Sequence, residues 1–252
     1  MMIYYLDCDC NGTDSIQDIL DANPKEITYM NGGNFERADS ELAKLSVAKG
    51  DLLIVDTISG LGATLRRNAK FIGLKDEMSV WAFREKWLGG DKNYLTVYDM
   101  AEQMIMERLK SLKNKGMNIL VLAHENKQIN ERTLEEAIGP ELPPAFYRRL
   151  NEACSDMFRL SILMEDEKDS NGNIKAAEGT RVLTLKPTAD CITKYHVSFE
   201  KAKTLPKRII NPTIPKIHKV LGKVPSFMCL FGCPGAGKTT LSLSQFLEEK
   251  PK

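Results

Sequence analysis

Residues 232–239 read Gly232-Cys233-Pro234-Gly235-Ala236-Gly237-Lys238-Thr239, the spacing G-x-x-x-x-G-K-[ST] of a phosphate-binding loop. The apolar run Phe227-Met228-Cys229-Leu230-Phe231 stands before it, and Thr240-Leu241-Ser242-Leu243-Ser244 can start a helix directly after it. A loop that wraps a phosphate with backbone N–H groups needs small side chains and glycines that are free in φ. The helix N-terminus behind it adds positive potential. Gly232, Cys233, Pro234, Gly235, Ala236 and Gly237 therefore read as the cradle. Lys238 is expected to reach the β- and γ-phosphates, Thr239 to set its hydroxyl on Mg²⁺, and Thr240 to touch the α-phosphate. The implied ligands are ATP and Mg²⁺; the competing reading is a chance match in a glycine-rich turn.

Such a loop needs an acidic partner for the metal. Leu52-Leu53-Ile54-Val55 is a continuous apolar run, as expected of a strand buried on both faces, and it ends in Asp56. Asp56 is the expected metal-side carboxylate; otherwise it caps the next turn. Hydrolysis also needs a group that orients or deprotonates water. Asp7 and Asp9 end the first strand and lie two residues apart, on one side of an extended chain. Either is a candidate base, the alternative being a turn in which the carboxylate bonds its own backbone. His124 closes the apolar run Ile119-Leu120-Val121-Leu122-Ala123. It is placed either to sense the γ-phosphate or as a structural histidine.

The rest of the chain alternates strands and helices, an α/β pattern. Strands are expected at 3–6, 27–30, 119–123 and 158–164, and helices at 14–21, 34–48 and 97–112, the last with Thr96 as N-cap. A short helix is expected at 134–138 and another around Phe146, Leu150 and Ala153. The runs 158–164 and 181–185, with Asn171-Gly172 between them, read as an antiparallel hairpin with a long loop. Pro206, Pro212, Pro215 and Pro225 mark 204–225 as an extended connector. Residues 62–95, with Trp81, Trp87 and Gly89-Gly90, read as an excursion that is partly mobile.

Composition fits this picture. The 252 residues carry 35 Lys and Arg against 34 Asp and Glu, with 42% apolar residues. That balance excludes a wholly disordered chain. No apolar run reaches the roughly 18 residues of a membrane span, and no secretory signal opens the chain. Six cysteines are too sparse for a disulfide scaffold, so a soluble cytoplasmic protein with reduced thiols is expected. The charge is uneven. Residues 181–252 hold 13 Lys and Arg against 4 Asp and Glu, leaving 22 against 30 in residues 1–180. The basic excess, densest between Lys194 and Lys223, either attracts a polyanion or is a lysine-rich solvated surface.

The order of the motifs is unusual. The phosphate loop lies close to the C-terminus, while the strand expected after its helix is Met2-Ile3-Tyr4-Tyr5-Leu6-Asp7. Joining the two ends would give a continuous strand, helix, strand and acid, so the order is read as a circular permutation of one domain, 1–252. Within it, 1–203 is the core from the second strand onward, and 226–252 is the phosphate-loop strand and helix. The competing reading is a truncated second domain.

Read in this order, the chain resembles RecA-like P-loop ATPases, closest to the phage-encoded single-domain ATPases of single-strand annealing and recombination. The resemblance rests on 227–240, on Tyr5-Leu6-Asp7-Cys8-Asp9, on 52–61 and on Asn118-Ile119-Leu120-Val121-Leu122-Ala123-His124-Glu125. It implies a three-layer fold with a central, mainly parallel sheet and a nucleotide at its strand ends. It implies Asp9 as the catalytic carboxylate, where the family usually has Glu, and His124 as the polar sensor. It also implies rings or filaments in which a neighbour's Lys reaches the γ-phosphate; Lys201 and Lys203 match that segment. If the resemblance holds, the partners are ATP, single-stranded DNA and further copies of the chain, in the host cytoplasm. Two other function classes stay open: a small-molecule phosphotransferase with 62–95 as a lid, and a nucleotide-gated interaction protein with little turnover.

Overall fold

The structure is a computed structural model that describes residues 1–9, 16–33, 35–63, 97–129 and 136–244. The elements in chain order are β1 (Ile3–Asp7), α1 (Gln17–Ala22), β2 (Ile27–Asn31), α2 (Phe35–Lys44), β3 (Leu52–Asp56) and α3 (Val97–Asn114). Next come β4 (Asn118–Ile129), β5 (Glu136–Pro140), α4 (Pro144–Ala153), β6 (Asp156–Ile162), β7 (Glu167–Lys168), β8 (Ile174–Ala176) and β9 (Arg181–Thr184). The chain continues through α5 (Phe199–Thr204), β10 (Arg208–Ile210), α6 (Ile214–Leu221), β11 (Phe227–Gly232) and α7 (Lys238–Ser242).

One sheet dominates, in the order β10-β9-β6-β11-β4-β3-β1-β2, with β5 paired to the far end of β4. The six strands from β6 to β2 run parallel, while β9 and β10 add an antiparallel edge. Side chains alternate between two cores. Leu53, Val55, Phe227, Cys229 and Phe231 face α2, α3 and α4; Tyr5, Ile54, Met228 and Leu230 face α6 and α7. The result is a three-layer α/β fold. Strands buried on both faces explain why β3 and β11 read as unbroken apolar runs. Register brings the carboxyl ends of several strands to one edge. Asp7 pairs with Asp56, Asp56 with Leu122, and His124 with Gly232. That edge is where parallel α/β sheets place their ligands.

Two expectations are corrected. Residues 204–225 are not an extended connector: they hold β10 and α6. Pro215 sits in the first turn of α6, where a missing N–H costs nothing, and the Thr213 hydroxyl accepts from the Lys216 N–H. Gly222 then closes the helix at φ +71°. Residues 136–138 belong to strand β5 rather than a short helix, because β5 pairs with the extension of β4. The 158–181 hairpin is present as β6 against β9, and its loop carries the small pair β7–β8. The expected Thr96 N-cap, nearly all of the 62–95 excursion and the C-terminal end lie outside the described residues.

Candidate functional site

The loop between β11 and α7 needs its glycines for specific reasons. Gly235 and Gly237 adopt φ +80° and +82°, a region that L side chains rarely enter. Gly232 has another constraint: a Cβ there would stand 2.1 Å from the Leu160 carbonyl oxygen on β6. Lys238 is 6% exposed, and its ammonium donates to the carbonyl oxygens of Gly232 at 2.9 Å and Cys233 at 3.1 Å. Burial pulls the Lys238 pKa below the ordinary lysine value, with the nearby Asp56 charge opposing.

On the other side of the cleft Asp56 is 4% exposed. Its Oδ2 accepts from the Thr239 hydroxyl at 2.6 Å and from the Tyr5 hydroxyl at 2.5 Å. Burial raises the Asp56 pKa; the two hydroxyl bonds work against that, and the charges of Asp9 and Asp7 add to it. The bond from Thr239 joins residues 183 positions apart. It depends on the placement of β3 beside β4 and of β4 beside β11.

Asp9 lies just beyond β1. Its Oδ1 accepts from the Thr57 hydroxyl at 3.0 Å, and its Oδ2 stands 3.3 Å from His124 Nε2. The Thr57 oxygen in turn accepts from the Gly60 N–H at 2.9 Å. A Cβ on Gly60 would stand 1.7 Å from Asp9 Oδ1, so the carboxylate fits only because residue 60 has no side chain. The His124 N–H donates to Ser59 Oγ at 3.1 Å, and the buried Nδ1 has no partner among the described residues. Asp7 points elsewhere: it accepts from the Tyr29 hydroxyl at 3.1 Å and the Asp9 N–H at 3.2 Å. Of the two candidate bases, Asp9 is the one that lines the cleft.

That cleft, ≈ 850 Å³ and open to solvent, brings together Asp9, Asp56, His124, Lys238, Thr239 and Thr240 with Pro234, Gly235 and Gly237. Gly232, Cys233 and Ala236, expected in the cradle, do not line the cleft; within the loop the Ala236 N–H donates to the Cys233 carbonyl at 3.2 Å. The donor set suits Mg²⁺, since the Thr239 hydroxyl and Asp56 carboxylate present adjacent hard oxygens. No cluster of three His, Cys, Asp or Glu side chains forms a cage among the described residues. Mg²⁺ requires none, because one or two carboxylates plus substrate phosphates usually hold it.

Lys201 and Lys203 do not line this cleft. Lys201 lies beside Gly222 with Lys223, in a separate surface depression. Lys203 pairs with Glu200 at 2.9 Å and sits 4.4 Å from the centre of the Phe199 ring. Part of the basic stretch is neutralised locally, as Arg208 pairs with Glu167 and Lys223 with Asp156. Sequence reasoning missed Tyr5, Thr57, Ser59, Gly60 and Arg181. Each acts across the fold on a residue it is not near in sequence, so no local motif marks it. Arg181, at the start of β9, places its guanidinium against Gly237.

Compared with known proteins, the chain matches no family model and none of the curated proteins. Among the described residues no helix is long and apolar enough to cross a membrane.

Proposed function

We propose that this chain is a Mg²⁺-dependent ATPase of the RecA-like P-loop type, in circularly permuted order, acting on single-stranded DNA in recombination. The observation that carries the ATPase reading is the bond from the Thr239 hydroxyl to Asp56 at 2.6 Å, next to Lys238 in the same cleft. A chance G-x-x-x-x-G-K-[ST] match has no reason to meet a strand-end carboxylate from the opposite end of the chain. The permuted order is supported by β11, the last strand in sequence, lying inside the sheet between β4 and β6. The nucleic-acid partner rests on the basic excess of residues 181–252 and on the resemblance.

The chemistry follows from these groups. A triphosphate lies along the loop, where the Lys238 ammonium exchanges two neutral carbonyl partners for charged phosphate oxygens, a stronger kind of bond. Asp56 and the Thr239 hydroxyl would hold Mg²⁺, which would supply neutralisation of the triphosphate's negative charge. Asp9, fixed by Thr57 and His124, orients a water molecule and takes its proton. The water oxygen bonds to the γ-phosphorus as the bond to the ADP oxygen breaks. His124, sharing that carboxylate, registers the presence of the γ-phosphate.

The test is ATP hydrolysis with and without single-stranded DNA, with Lys238→Ala as control. The expected result is activity raised by single-stranded DNA and reduced about 10²- to 10³-fold in the variant, the scale for losing one preorganised charge contact. Equal activity in wild type and variant removes the ATPase reading; indifference to DNA removes the partner.

A further inference from the structure

We infer that Arg181 is a phosphate-binding residue of this cleft, contacting the α- and β-phosphates of the nucleotide from within the same chain. The inference rests on the nucleotide reading above and adds a residue that no motif marks. Three observations carry it. First, the guanidinium lies against the loop: a Cβ built on Gly237 would stand 2.6 Å from its Cζ and 2.7 Å from Nε and Nη2. Second, the backbone that presents it is fixed on both sides, because Arg181 pairs with Ile162 of β6 and its carbonyl accepts from the Asn211 N–H at 2.8 Å. Third, among the described residues no carboxylate pairs with it, whereas Arg108, Arg149, Arg159 and Arg208 each have one. A guanidinium aimed at a phosphate loop with its fork unclaimed suits bidentate contact with phosphate oxygens.

Geometry also assigns the end of the nucleotide. The sheet runs β9-β6-β11-β4-β3-β1, so Arg181 approaches the loop from the side opposite Asp56 and Asp9. The γ-phosphate must face Asp9, the water-orienting group. The phosphate chain therefore returns across the loop toward β6 and β9, where Arg181 meets its α–β end. A residue placed there holds ADP as firmly as ATP.

The experiment measures binding of fluorescent ADP and a fluorescent non-hydrolysable ATP analogue to wild type, Arg181→Ala and Arg181→Lys. Arg181 is exposed, so truncation leaves the fold intact, and a circular-dichroism melt verifies it. Expected is an affinity loss of about 10- to 100-fold for both nucleotides in the alanine variant, the scale of a charge-assisted hydrogen bond. The lysine variant regains part of it, because its charge remains but its fork is lost. Unchanged affinity in Arg181→Ala overturns the inference and leaves the P-loop reading standing. A loss confined to the ATP analogue overturns the α–β assignment. A wild type that binds neither nucleotide removes both readings together.

Discussion

The cluster around Asp56 and the lysines of α5 were both singled out from the sequence, yet they are built in opposite ways. Asp56, Thr239, Tyr5, Asp9, Thr57 and His124 come from β1, β3, β4, α7 and the turns after β1 and β3, and most of their bonds span 48 to 183 positions. Lys203 is exposed and bonds Glu200 three residues away, within its own six-residue helix. The first arrangement exists only in the folded chain, and a buried carboxylate in it costs stability. The second would form in any helix of that sequence. A group held by long-range register at a stability cost marks function more strongly than charge density does.

The most severe test of this contrast is Asp56→Asn. On the proposed reading hydrolysis is expected to fall about 10²- to 10³-fold, since the carboxylate charge that would hold the metal is gone. Stability without nucleotide should move the other way. Burial raises the Asp56 pKa, so the folded state holds the proton more tightly than the unfolded chain. The wild-type contribution therefore declines as pH rises from the ordinary carboxylate value through the raised one. Asn has no such decline. Melting curves from pH 4 to 8 should show the variant gaining on wild type as pH increases, with a melting temperature at or above wild type at pH 7. A variant that melts well below wild type at pH 7 would mean that the ionised carboxylate stabilises the fold, and the contrast with α5 would fail.

How much of this the sequence carried depends on the range of each interaction. The conformation of the 232–239 loop was legible because its demands are local: glycines at 235 and 237 for positive φ, with the lysine and hydroxyl immediately after. Asp56 was legible because a doubly buried strand reads as an apolar run with one acid at its end. Tyr5 was not, since a tyrosine in a strand reads as core until register sets its hydroxyl on Asp56. Gly60 looked like any turn glycine until Asp9 came to lie over it. The misreading of 204–225 has the same origin: four prolines suggest extension, and only the Thr213 cap and the position of Pro215 in the first turn reveal a helix.

Gly60→Ala tests the same contrast at a smaller scale. The added methyl must displace the Asp9 carboxylate from Thr57 and His124, without touching its charge. Misplacing a reacting group by about 1 Å costs up to 10²-fold, so hydrolysis should fall by about 10- to 100-fold. Residues 58–63 are helical, and alanine favours a helix over glycine by up to ~1 kcal/mol, so the melting temperature should not drop. Full activity in this variant would remove Asp9 as the base even if Asp56 and Lys238 behave as expected.

The smallest effect belongs to Lys201→Ala with Lys203→Ala. An exposed pair three residues apart contributes little, so the melting temperature should shift by no more than about 2 °C. The informative readout is how hydrolysis depends on protein concentration. Neither lysine lines the cleft of its own chain, so a catalytic role is open to them only at a neighbour's cleft. In that case specific activity in wild type rises with concentration as copies associate, and the double variant stays at the low-concentration value throughout. If wild type and variant instead follow one line at every concentration, the lysines belong to the solvated surface. The site is then completed by Lys238 and the other side chains of a single chain.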